Sequence, residues 1–132
     1  MPYGQINTDT IQSSTTGTAP VFKDGSGNQI GTLCRAWVNF NGVTTATIRA
    51  SFNVSSVTRQ GTGDYRVFFV QNMPDANYSV VGSSGGQAAT SDGAVYLYDQ
   101  AMVRVVSGFA ISTATTAGGA VDTPQINVAV FR

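Results

Sequence analysis

Ala46-Thr47-Ile48-Arg49-Ala50-Ser51-Phe52-Asn53-Val54-Ser55 alternates an apolar with a polar residue at every step. A period of two over ten residues predicts a β-strand with one buried and one solvated face. Upstream, Leu33 to Phe40 reads as its partner, joined through Asn41-Gly42-Val43-Thr44, where the Asn-Gly pair offers the positive φ of a tight hairpin. Downstream, Gly61-Thr62-Gly63-Asp64 turns the chain again, and Val67-Phe68-Phe69-Val70 is apolar on both faces. A shift of phase at Ser55-Ser56 predicts a bulge and a change of direction. Trp37, the single tryptophan, lies in the partner strand. It is expected to be buried with its N–H paired, so that truncation to Ala would cost about 3–5 kcal/mol.

The same meander carries a resemblance. Cys34-Arg35-Ala36-Trp37-Val38-Asn39-Phe40-Asn41-Gly42, Ile48-Arg49-Ala50-Ser51, Gly63-Asp64-Tyr65 and Met73-Pro74-Asp75-Ala76-Asn77-Tyr78 are the residues that carry it. Together with the opening Pro2-Tyr3-Gly4-Gln5-Ile6-Asn7-Thr8-Asp9-Thr10-Ile11, the chain resembles fibre and other virion structural proteins of tailed bacteriophages, marine ones and cyanophage-like ones especially. The matches are scattered between Pro2 and Tyr78, and they consist of turn and core residues, which point to a protein type and to no chemistry.

Composition narrows the fold class. Charged residues make up 11% of the chain, against a usual ~25%, so hydroxyls and amides must dress the surface. Glu is absent and Leu occurs only at Leu33 and Leu97, which removes the best helix formers while Val and Thr abound. At 132 residues the chain is one domain long. The formal net charge of zero lacks the electrostatic footprint of a nucleic-acid or anionic-membrane binder. No apolar run approaches the ~20 residues of a transmembrane helix, and the N-terminus lacks the regions of a signal peptide, so synthesis in a bacterial host cytoplasm is expected.

The remaining chain supplies further short strands. After the turn at Met73 to Asn77 come Tyr78 to Gly82, Ala94 to Tyr98, Val103 to Thr113 bending at Gly108, and a final strand admitted by Pro124. Ser83-Ser84-Gly85-Gly86 with Ser91-Asp92-Gly93 brackets one long loop, and Thr115 to Asp122 with Gly118-Gly119 forms another. About eight strands at this spacing predict an all-β fold, an antiparallel jelly-roll-like β-sandwich spanning residues 33–132. Residues 1–32 read as an extended N-terminal arm and lead-in hairpin turning at Lys23 to Asn28. The arm's Tyr3, Ile6 and Ile11 are isolated apolar anchors on a polar thread, too sparse to order alone and suited to docking on a virion partner. A frayed terminus without a role has the same composition.

Several patterns imitate chemistry. Gly82-Ser83-Ser84-Gly85-Gly86 satisfies the letter of a hydrolase elbow, yet the chain has no histidine to activate a serine. Asp24, Ser26 and Asn28 begin like a calcium loop, but Gln29 and Arg35 stand where Gly and a bidentate Glu are required. Cys34, the only cysteine, forms no intrachain disulfide and reads as a buried core residue. No cofactor or metal is implied. Polysaccharide cleavage needs two carboxylates, and seven Asp are present. Most sit in turn contexts where Asp bonds its own backbone, while Asp99 lies beside Tyr96 and Tyr98. Those tyrosines fit a core or subunit interface better than a sugar-stacking site.

The expectation is therefore a non-enzymatic virion structural protein, a fibre or fibre tip whose loops at Ser84, Gly85, Gly86, Asp92, Gly118 and Gly119 contact a host glycan or protein. A capsid decoration, knob or tail connector protein with purely architectural work is the alternative. A homotrimer follows from the resemblance. An oligomer interface at Phe68, Tyr96 and Tyr98 follows from apolar side chains on both faces of their strands.

Overall fold

The computed structural model describes residues 8–15, 19–85, 104–115 and 118–132. The chain divides into two compact units, Met1–Leu33 and Cys34–Arg132. Among the described residues there are nine strands, all pairings antiparallel, and no helix.

In the first unit, β1 (Phe22–Lys23) pairs with β2 (Gln29–Gly31) across the glycine-rich turn expected there. Asp24 Oδ1 accepts the backbone N–H groups of Ser26 at 2.9 Å and Asn28 at 2.8 Å, and Gly27 takes φ +88°. The calcium-like spacing is thus an Asx turn whose carboxylate is bonded by its own loop.

The second unit is a β-sandwich of four strands over three. β3 (Cys34–Asn41), β4 (Thr47–Phe52), β7 (Ser79–Gly85) and β9 (Gln125–Phe131) form one sheet in the order β4-β3-β9-β7. β5 (Val54–Gly61), β6 (Asp64–Phe69) and β8 (Gly108–Ser112) form the other, in the order β5-β6-β8. Alternate residues supply the shared core: Ala36, Val38 and Phe40 from β3 and Ile126, Val128 and Val130 from β9 meet Tyr65, Val67 and Phe69 from β6 and Phe109 and Ile111 from β8. The Phe40 and Tyr65 rings cross between the sheets edge to face, with centroids 5.3 Å apart.

The ten-residue alternation becomes two strands in two sheets. Asn53, at φ 54°, ends β4 and starts β5. Its side chain fixes the corner, donating to the Arg35 and Gln71 carbonyls at 3.0 and 3.2 Å and accepting the Gln71 N–H at 2.7 Å. The predicted bulge follows, since Val54 pairs with Phe69 but Ser56 with Phe68.

An irregularity that the sequence did not announce sits earlier. β3 and β4 lose register between Asn39 and Phe40, so Phe40 faces Ile48 while Asn39 faces Ala50. One extra residue on β4 reverses which face the following side chains take. Ile48 consequently packs on the core, whereas Ala50 and Phe52, expected inside, are exposed.

Other expectations change as well. Trp37 is exposed, because Ala36, Val38 and Phe40 take the inward positions of β3 and leave position 37 outside. Cys34, at the start of β3, is only half-buried, its Sγ donating to the Ala36 carbonyl at 3.2 Å. In the Asn41-Gly42 turn the positive φ falls on Thr44 rather than on the Asn-Gly pair. Gly42 serves space instead: a Cβ there would overlap the Tyr65 hydroxyl and lie 2.8 Å from Ile126 Cδ1. Residues 104–107 do not continue β8 but form a turn in which Val105 and Gly108 exchange backbone hydrogen bonds. Gly108 opens β8 against the Val67 carbonyl, where a Cβ would not fit.

Candidate functional site

Because β3 and β9 point their large aliphatic side chains inward, the outer face of the four-stranded sheet is built from what remains between them. Cross-strand register arranges these residues in two rows. The first runs Phe52, Trp37, Ala129, Val81 from β4 to β7, and the second Ala50, Asn39, Asn127, Ser83. Phe52, Trp37 and Val81 are 55%, 40% and 51% exposed, so the first row is an open apolar band.

The second row is hydrogen-bonded to itself. Asn39 Nδ2 donates to Asn127 Oδ1 at 2.6 Å, and Asn127 Nδ2 reaches Ser83 Oγ at 3.4 Å. Each amide carries two N–H donors and a carbonyl with two lone pairs, so this chain leaves both with capacity for further partners. Between the walls made by Trp37 on β3 and Val81 on β7, the small side chain of Ala129 leaves a trough over β9 of about 470 Å³. Among the described residues its lining contains no charged side chain.

A second polar constellation lies elsewhere in this unit. Asp122 accepts from Arg59 Nη2 at 2.7 Å, from the Gly63 N–H at 2.8 Å and from the Tyr65 hydroxyl at 2.9 Å. Tyr65 Oη also lies 3.1 Å from the Gly42 carbonyl. Burial acts to raise the Asp122 pKa, but the hydrogen bonds from Arg59, Gly63 and Tyr65 outweigh it and hold the carboxyl below its ordinary value. Burial first, and then the hydrogen bond to Asp122, push Tyr65 up to about 12. The carboxylate ties β5, the β5–β6 turn and the segment before β9 together. With its oxygens so occupied it acts as a clasp.

The geometry of the sheets has a counterpart among solved structures. In fold, the chain resembles part of a phage tailspike. The phiAB6 tailspike, solved in complex with three-repeated oligosaccharides of Acinetobacter baumannii surface polysaccharide, matches with a TM-score of 0.52 and 17% identity. The match covers 96% of this chain and 30% of the tailspike, so the chain spans less than a third of that protein's length. No protein-family model matches the sequence, and no curated protein does.

The residues singled out from sequence scatter over the fold. Ser84 and Gly85 lie within β7, paired with Ile126 and Gln125, and not in a loop. The Ser84 hydroxyl is buried, with no hydrogen-bond partner among the described residues, which is no position for the serine of an elbow. Gly118 and Gly119 are exposed in a turn closed by hydrogen bonds to Thr115, Gly118 at φ +83°. Phe68, half-buried, faces away from the core between Val67 and Phe69. Ile11 is 62% exposed. Tyr3, Ile6, Gly86, Asp92, Tyr96, Tyr98 and Asp99 lie outside the described residues.

Of the carboxylates, Asp24 and Asp75 are held in turns as their contexts implied. Asp75 accepts the Asn77 N–H at 2.8 Å and pairs with Arg132 at 2.6 Å. Among the described residues no cluster of His, Cys, Asp or Glu could hold a metal ion. Sequence reading missed the two outer rows entirely. Their signal was the polar and aromatic partners of an otherwise aliphatic alternation: Trp37 and Asn39 in β3, Asn127 in β9.

Proposed function

We propose that the chain is a non-enzymatic structural protein of a tailed-phage virion, of fibre or fibre-tip type. It docks to the particle through its N-terminal arm and presents its β-sandwich toward the host surface. The observation that carries the reading is that nearly the whole chain follows the fold of less than a third of a phage tailspike. The sequence resemblance to fibre proteins supports it, as does a polar, weakly charged surface. In this reading the protein is a homotrimer. The exposed Ile11, with Tyr3 and Ile6, forms the docking thread, and Phe68, Tyr96 and Tyr98 contribute to the subunit interface.

Labelled antibody on purified virions tests the assignment. Label at a tail tip supports the fibre reading, label over the head supports capsid decoration, and absence from particles overturns both. Deleting residues up to Ser14 should leave the sandwich folded and oligomeric while abolishing incorporation. A truncated protein that appears on particles at the full level would show that docking lies elsewhere. Light scattering that returns a monomer mass at micromolar concentration would overturn the trimer.

A further inference from the structure

We infer that the trough over β9, between Trp37 and Val81 and crossed by Asn39, Asn127 and Ser83, binds a short stretch of an uncharged saccharide chain. The inference deepens the proposed host-surface role and rests on it only for biological context.

Three properties of the trough select this ligand class. Among the described residues the lining holds no charged side chain, so a phosphate, carboxylate or ammonium would meet no counter-charge there to offset its desolvation, which favours a neutral occupant. The exposed Trp37 ring offers a flat, electron-rich face, against which the axial C–H bonds of a pyranose carry a partial positive charge. Beside it, two amides and a hydroxyl are already aligned by hydrogen bonds to one another, with donors and acceptors left over. Vicinal sugar hydroxyls, each a donor and an acceptor, complement that row.

Shape argues against the obvious competitor, a second copy of the chain laid face to face. Strands β3 and β7 flank β9, so the walls stand about 10 Å apart. This width admits a single sugar chain running along the strand direction. An opposing sheet would rest first on Phe52, Trp37 and Val81, which flank the small Ala129 in the same cross-strand row, so its contact over β9 would be incomplete. The two rows are two residues apart along their strands, about 7 Å. A ring seated on Trp37 therefore brings the hydroxyls of its own far side, or of the next ring, to Asn39 and Asn127.

Since Trp37 is the only tryptophan, its emission reports on the trough directly. Full-length protein is titrated with maltotriose, cellotriose, mannotriose and tri-N-acetylchitotriose to about 10 mM, enough to see a millimolar Kd. The expected result is a saturable change in Trp37 emission with at least one of them. Asn127→Ala should weaken that binding by about tenfold or more. By saturation-transfer NMR, Trp37→Ala should abolish the sugar signal and Trp37→Phe should retain part of it, with both variants still unfolding cooperatively on heating. No saturable response to any of the four sugars overturns the inference, and so does undiminished binding by Trp37→Ala. If raising the protein concentration alone shields Trp37 from quenchers and raises the mass, and Trp37→Ala reverses both, the face belongs to a second copy and the inference is wrong. Protein found on virions with a trough that fails these titrations would remove this inference and leave the virion assignment standing.

Discussion

β4 and β9 belong to the same sheet and show the same alternation in sequence, yet β9 buries its whole apolar face and β4 only the part that holds Ile48. In β9, Ile126, Val128 and Val130 are all buried. In β4, Ile48 is half-buried and Phe52 is exposed. β9 pairs with β3 and β7 along both edges, its one register shift against β3 falling at the end, between Cys34 and Ala36, whereas among the described residues β4 is an edge strand paired on one side and interrupted in the middle by a bulge. Alternation thus reports that a segment is extended. Which of its faces is covered depends on the neighbours and on the register they impose.

The contrast can be broken most forcefully at the centre. Phe40→Ala removes a fully buried ring that spans both sheets and should cost about 3–5 kcal/mol. Phe52→Ala on β4 should stay within about 1 kcal/mol, as expected of an exposed side chain. Denaturant unfolding of the two variants checks the difference, and equal losses would show that β4 carries more of the fold than its exposure implies.

A smaller effect is expected at the clasp. Asp122→Asn keeps the shape but weakens the hydrogen bonds from Arg59, Gly63 and Tyr65, at a cost of about 1–3 kcal/mol. The sign of its pH dependence follows from the lowered Asp122 pKa. The contribution is fully present above the ordinary carboxylate value near 4 and is lost as pH falls through the folded-state value. Acid unfolding of the wild type should therefore be steeper than that of the variant. Tyr65 works in the opposite direction. With its pKa raised to about 12, stability should decline as pH rises from about 10, a decline that Tyr65→Phe should remove.

Gly42→Ala sharpens the comparison at the hairpin joining β3 to β4. Its Cβ would meet Tyr65 and Ile126 from the well-packed side of the sandwich, so a loss of about 1–3 kcal/mol is expected from a single methyl group. The smallest effect belongs to Trp37→Ala. At 40% exposed on the outer face it should change stability by no more than about 1 kcal/mol, where full burial would have cost about 3–5. Thermal unfolding distinguishes the two.

The strands of the central meander and β9, the turns at Gly61 to Asp64 and Asp24 to Asn28, and the bulge after Val54 were legible, because hydrophobic period and turn residues act locally; the extension of β7 through Gly85 and the turn at residues 104–107 were not, and the strand expected at Ala94 to Tyr98 lies outside the described residues. The outward turn of Ala50 and Phe52 was not. It depends on one unpaired residue in β4, whose identity, Arg49, is ordinary for a strand. Trp37 was misplaced for a related reason: its size suggested burial, but β3 already filled its inward positions with Ala36, Val38 and Phe40. The trough was invisible for want of any motif. Its residues come from three strands, and Asn39 and Asn127 meet only after 88 residues of chain have folded back.

That separation also sets a timetable for synthesis. β9 completes the sheet by pairing β3 along one edge and β7 along the other, and it is the last strand in chain order. At ordinary translation speeds, β3 waits on the order of 10 s for its partner. Its β4 hairpin forms early from neighbouring residues, while its other edge stands open as a template for any strand that passes. The larger sheet of a nascent chain therefore closes only once β9 has emerged, and crowding of nascent copies on one message is the moment at which mispairing competes with the native fold.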